Sequence, residues 1–381
     1  MLDLNDRELF APVTHPESGV VIRVLKRKVA PVQEAFYFVN DSMSADGRYL
    51  WFYCAFPPSS SSTRGRTLGV LDFQTGEIRH FPETQFGEAS PYVDVKTGEV
   101  YWQCDRYLWK RGPEADAPVE RVNAVPEELI GGRQVLRTAT HLTRSADGKE
   151  FFIDLGLEMQ WLFGSLPIDG GDFKLWHRFD RFYNHAAFSP TDPDEVLFAQ
   201  EFHDDPITGL TFPITERLWL LRCGEDPRPI LREQQVKRAG EQAVSHEWWD
   251  ADGKYVWCVL KNETWRVRVA DGEVEKIVFP LHCWHSHCAR DGRLIVSDSV
   301  VPKWPFHRGG ESLVHFLNRD TGKTLILAEN PERADYAGRN YHIDPHPRFV
   351  CGDRYIVFTT TVRGEIDLAI AATAELRGMT T

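Results

Sequence analysis

Nowhere in the 381 residues do eighteen apolar side chains run together, so no segment reads as a membrane-spanning helix. No basic run is longer than Lys26-Arg27-Lys28, and 44 Lys and Arg stand against 56 Asp and Glu, a net charge of −12. That balance excludes the basic surface a nucleic-acid or membrane-surface binder needs. The seven cysteines are odd in number, scattered and free of any CxxC pair. Neither a disulfide framework nor a paired-thiolate zinc site fits that pattern, which reads as reduced thiols. The opening Met1-Leu2-Asp3-Leu4-Asn5-Asp6 carries acids where an export signal carries bases, so a cytoplasmic location is expected. What remains is an ordinary globular composition, 42% hydrophobic and 26% charged. An acidic ligand would need a local positive site set against the overall field.

One phrase recurs about every fifty residues: a polar turn, then a strand alternating aromatic and β-branched side chains. The turns are Asp46-Gly47, Thr97-Gly98, Asp147-Gly148, 192–194, Asp252-Gly253, Asp291-Gly292 and Gly352-Asp353. Asp-Gly between two such runs is a favoured hairpin turn, because its residues tolerate positive φ. Third and fourth strands follow most copies, as in Leu68 to Phe73, the turn Gln74-Thr75-Gly76, and Glu77 to Phe81. Seven four-stranded units predict an all-β, seven-bladed β-propeller, read as one domain over 1–381. The last unit ends one strand short, and the run 20–25 precedes the first unit without a blade of its own. It is expected to supply the missing outer strand and close the ring. Uneven spacing places inserts at 202–215 and 300–312, the expected walls of a binding site.

The strand before each Asp-Gly turn is innermost, so a residue six positions upstream of the Asp lies near the mouth of the central channel. That position holds Asn40, Pro91, His141, His246, His285 and His346, with His185 slightly out of phase. With 14 histidines in the chain, seven positions collect about a quarter of one by chance. Histidines converging from separate blades point to a functional mouth rather than to isolated structural side chains. In 283–288, His285 and His287 share a strand face by the two-residue period, as do His342, Asp344 and His346. Imidazoles with a carboxylate suit Mn²⁺, Zn²⁺ or Fe²⁺; a metal-free His/Asp network is the alternative.

Four segments resemble the oligogalacturonate lyases, seven-bladed propellers with a metal at one end of the channel. Asn184 to Pro190, followed by Phe198 to Glu201, looks like that family's fourth blade, and Glu216-Arg217-Leu218-Trp219 looks like its substrate-contacting Arg-x-Trp. Ser245-His246-Glu247-Trp248-Trp249 is similar to the segment that carries the family's catalytic base, and Pro345-His346-Pro347 to its last metal-binding His-Pro. Two departures stand out: Asp344 replaces a metal histidine, and His141 stands where the family has none. The resemblance implies a base at His246, a carboxylate clamp at Arg217, and a divalent metal, Mn²⁺ first, held by ligands from among His285, His287, His342, Asp344 and His346. The six-residue phasing favours His285 over His287.

Such a site suits β-elimination from a uronic acid, since a metal and an Arg neutralise the carboxylate next to the departing proton. They would also form the positive focus that an acidic protein lacks elsewhere. Asn40, His141, His185, His203 in the first insert, and Trp248 are the candidate substrate contacts; of Trp248 and Trp249, at least one should pack in the core. The expected partner is a small acidic oligosaccharide, with no nucleic acid or membrane, and the protein a monomer or homodimer. Two other readings stay open. One is a glycoside hydrolase or isomerase using carboxylates among Glu201, Asp204, Asp205 and Glu247; the other is a non-catalytic sugar- or protein-binding propeller.

Overall fold

The computed structural model describes residues 3–57, 59–60, 65–87, 90–201, 203–205, 207–212, 214, 216–231, 244–260, 262–277, 282–300, 311–331 and 344–381. Seven antiparallel sheets form the seven blades of a β-propeller, six with four strands and one with five. The phrase that repeats in the sequence is the second strand of each blade: Tyr49–Ala55, Val100–Cys104, Glu150–Leu157, Glu195–Gln200, Tyr255–Leu260, Leu294–Val300 and Tyr355–Thr360. Gly47, Gly148, Gly253 and Gly292 adopt the positive φ that the preceding turns require.

These second strands show why the chain makes a ring of blades. Successive side chains on a strand point to opposite faces, so each adjacent pair feeds two different interblade cores. Leu50 packs with blade 7 and Trp51 with blade 2. Ile153 packs with blade 2 and Phe152 with blade 4; Val256 packs with blade 4 and Trp257 with blade 6. A strand apolar on both faces is stable only between two neighbours, and each buried aliphatic or Phe side chain contributes about 1.5–3 kcal/mol.

Ring closure follows the sequence expectation. Val21–Leu25 pairs with Asp367–Ala372 and becomes the fourth strand of blade 7. Two additions were not expected: Phe10–Thr14 adds a fifth, outermost strand, and Thr373–Met379 forms a short helix whose Leu376 packs against Val20 and Ile22. No helix among the described residues is long and apolar enough to cross a membrane.

Blade 1 departs from its sisters in a way that shapes the channel. Its inner strand Val32–Glu34 pairs with 53–55, and the ladder resumes only at the bridge from Met43 to Leu50. Residues 35–42 between them leave the sheet. The Ala35 N–H donates to Thr359 Oγ1 of blade 7, and Arg348, also of blade 7, donates to the carbonyls of Phe38 and Val39. Asn40 Nδ2 donates to Pro91 O at 2.6 Å and to the carbonyls of Ser90 and Leu142. The segment therefore lies across the channel and is tied to blades 2, 3 and 7. Asn40, expected among the substrate contacts, is 4% exposed and spends its side-chain amide on three backbone carbonyls, the role of an interblade tie.

Candidate functional site

His185, His246 and His346 share an uncommon backbone, with φ of 57°, 53° and 46°. Left-handed geometry costs a non-glycine residue about 1–2 kcal/mol, and such strain concentrates where a side chain must be aimed. At His185 and His246 the local cause is visible: the ladder slips between Asn184 and Ala187 and between Ser245 and Trp248. Each slip is a bulge that turns the histidine out of the strand's alternation.

On blades 6 and 7, candidate ligand atoms of His285, Asp344 and His346 lie within 4.8 Å of one another. Asp298, on the second strand of blade 6, organises them. It accepts from the His285 N–H at 2.7 Å, from His285 Nδ1 at 2.9 Å and from the His346 N–H at 3.1 Å. Because a carboxylate can only accept, His285 directs an Nδ1–H at Asp298, which leaves Nε2 as the ring nitrogen available to a metal. The donor set fits a divalent cation of intermediate hardness. Asp154 plays the same backbone role on blade 3, accepting from the N–H groups of Thr140 and Ala186.

His246 borders this group, its ring centroid 4.3 Å from that of His285. Its Nδ1 lies 3.3 Å from the Tyr37 hydroxyl, and its Nε2 is buried without a hydrogen-bond partner. Burial first, then the neighbouring His285 and Arg217, hold its pKa well below the usual histidine value, so at neutral pH the ring is uncharged. Tyr37, carried on the segment that crosses the channel, stacks on His141 at 5.0 Å and meets the edges of His285 and His346. His141 bonds Ser90 Oγ through Nδ1, and burial, then His185, keeps it neutral as well.

On blades 4 and 5 the site is ionic. Arg217 is 5% exposed; its Nη1 donates to Glu201 Oε2 at 2.6 Å and to the Gln200 carbonyl, and its Nη2 lies 3.7 Å from Glu247. His185 Nδ1 is 2.8 Å from Glu247 and its Nε2 is 3.9 Å from Glu201, so carboxylates face both ring nitrogens. Burial alone would raise the Glu247 carboxyl, but Arg217 and His185 outweigh it and bring it down to about 2. Glu201 is lowered for the same reasons. Arg217 thus brings no net positive charge by itself: even with His185 protonated, these four side chains sum to zero, and the expected positive focus would rest on the metal.

Several expected residues lie elsewhere. Trp248 is 2% exposed and packs between Phe38 and Trp257 in an interblade core, which removes it from the substrate contacts. His287 does not share a site with His285, because the strand begins only at Ser286; it lies against Phe349 and Trp248. With Asp41, Asp250, Arg348 and Asp353 it lines a cavity of about 240 Å³ near the hairpin turns. The backbone of His203 pairs with Phe212 in a small hairpin that follows Glu201. His342 and most of 300–312 fall outside the described residues. Sequence reasoning missed Tyr37 and Asp298; an Asp in the apolar second strand, shared by Asp154 and Asp298, was the available signal for the latter.

No protein-family model matches this chain. An oligogalacturonide lyase of Pectobacterium atrosepticum is 27% identical over 206 residues, 50% of each chain, and an oligogalacturonate lyase of Dickeya dadantii is 25% identical over 205. The chain spans about half the length of the curated relatives it matches. Two solved structures extend the similarity to the whole fold. The oligogalacturonate lyase of Vibrio parahaemolyticus superposes with a TM-score of 0.72 at 18% identity, covering 95% of this chain and 96% of that one. An oligogalacturonate lyase in complex with manganese superposes with a TM-score of 0.71, with the same identity and coverage.

The chain resembles the oligogalacturonate lyases. The likeness holds over the fold as a whole and over about half the sequence. Within this lyase-like chain, His246, Arg217 and His346, which carried the resemblance, and His285, which the phasing singled out, all lie around the channel segment bearing Tyr37. Asp344, the departure, joins His285 and His346.

Proposed function

We propose that this chain is a metal-assisted lyase that cleaves short uronate-containing oligosaccharides by β-elimination. The observation that carries the reading is the meeting of an uncharged, unpartnered His246 Nε2 with the His285, Asp344 and His346 set at one mouth of the channel. His246 Nε2 takes the C5 proton of the uronate. The C–H electron pair becomes the C4–C5 double bond, and the C4–O bond breaks, its oxygen leaving with the departing sugar and taking up a proton. A base that is neutral at working pH and desolvated suits this task. Arg217 and His185 hold the C6 carboxylate, where charge builds as the proton leaves. A divalent ion in the His285, Asp344 and His346 set, Mn²⁺ by analogy with the manganese-bound relative, would withdraw that charge as a Lewis acid.

The hydrolase alternative fares worse. Hydrolysis needs one carboxyl kept protonated, whereas Glu201 and Glu247 are both lowered by Arg217 and His185. We further read 1–381 as one domain, because residues near both ends share blade 7, and a cytoplasmic location from seven cysteines outside any disulfide.

The test is to purify the protein without chelator, measure bound metal by elemental analysis, and screen uronides for the ultraviolet absorbance of the new double bond with and without EDTA. One stoichiometric metal and chelator-sensitive absorbance support the reading. No metal and no signal on any uronide would sink it in favour of a binding propeller.

A further inference from the structure

We infer that Glu201 is a stand-in for the substrate's carboxylate, holding Arg217 and His185 until a uronate displaces it, so that binding exchanges one carboxylate for another and selects acidic sugars. The inference rests on the uronate reading above and adds a residue that sets specificity within it.

The geometry separates the two carboxylates that hold Arg217. The Glu247 side chain is 2% exposed and fixes both Arg217 and His185 from behind. The Glu201 side chain is 24% exposed against 6% for Arg217, so it is the arm that faces solvent. Its planar carboxylate spans the two side chains, Oε2 on Arg217 and Oε1 toward His185, as a sugar C6 carboxylate would do.

Charge counting then requires exchange. Arg217, Glu201 and Glu247 sum to −1 and reach zero only with a protonated His185. A further carboxylate added to that group would be repelled at short range in a poorly screened site. A carboxylate that replaces Glu201 leaves the count unchanged and inherits its hydrogen bond, while the released glutamate turns to water. A neutral sugar offers Arg217 only hydroxyl acceptors, weaker than the charge-assisted bond it would have to break.

The experiment is isothermal titration calorimetry of the full chain with D-galacturonate and D-galactose, in wild type, Glu201→Ala and Glu201→Gln, with thermal melts to confirm folding. Arg217 keeps Glu247 and the Gln200 carbonyl in both variants, and the glutamine variant preserves the side chain's shape. At least tenfold tighter galacturonate binding in the variants, with galactose unchanged, is the expected result. If wild type binds galacturonate and the variants bind it equally or more weakly, Glu201 is an ordinary sugar contact and the inference is overturned while the uronate reading stands. If no form binds galacturonate, both fall together.

Discussion

The two halves of the mouth are built on opposite electrostatic plans. On blades 6 and 7, Asp298 orients His285 within a cluster of ligand atoms from His285, Asp344 and His346, a set suited to a positive ion. On blades 4 and 5, Arg217 is already matched by Glu201 and Glu247. The first half is open to a positive ion and the second is matched within itself, so neither rests on a surplus of basic residues. Between them lies His246, uncharged and touching the open half.

That contrast can be broken at its centre first. His246→Ala should cut kcat by about 10²–10⁴-fold, the usual range for a general base, with metal content unchanged; a rate assay and elemental analysis on one preparation check both. Next, Arg217→Ala leaves the buried Glu247 with His185 alone and Glu201 without its guanidinium, and should lower unfolding stability by about 3–5 kcal/mol, read by urea denaturation, with Glu201→Gln recovering part of the loss. On the open half, Asp298→Asn should weaken metal affinity by about 10–100-fold, read by competition with a chelating dye, and a metal-free His/Asp network would show no such change. The last effect lies outside the mouth and is nil at neutral pH. His315 is buried and its pKa is pushed down to about 3 by burial, so the unfolded state binds its proton first as pH falls. Its stabilising contribution is full above the unfolded value near 6.5 and is lost toward pH 3 at about 1.4 kcal/mol per pH unit. A His315→Gln variant should flatten that slope in urea titrations at several pH values.

The blades were legible in the sequence because alternation and Asp-Gly turns are local signals, and Tyr49–Ala55 or Leu294–Val300 need no neighbour to be recognised. Ring closure was legible because blade 7 is short by one strand. The histidine phasing located His246, His285 and His346, since equal distance from a turn means equal height in the channel. It misplaced Asn40, which shares the phase but sits on a segment that leaves its sheet, an event no period records. The pairing of His287 with His285 failed because strand alternation was applied one residue before the strand begins. Trp248 and Arg217 show a different limit: burial and ion pairing are set by other blades, and Glu201 reaches Arg217 only once the first and third strands of blade 4 flank its second. Tyr37 carries no motif, and its place follows from the crossing of residues 35–42.

The seam in blade 7 has a consequence for how the molecule is made. Arg23 and Glu375 meet through two hydrogen bonds, of 2.6 and 2.8 Å, across 352 positions of chain. The early strand 21–25 can therefore pair at once only with 10–14, and its other edge must wait for 367–372 while six blades are synthesised. Until the last strands emerge from the ribosome, the growing chain exposes an apolar edge on both sides of the gap, the condition under which nascent β proteins aggregate. Folding yield should thus be governed by how fast the strands of blade 7 arrive, more than by the stability of any one blade.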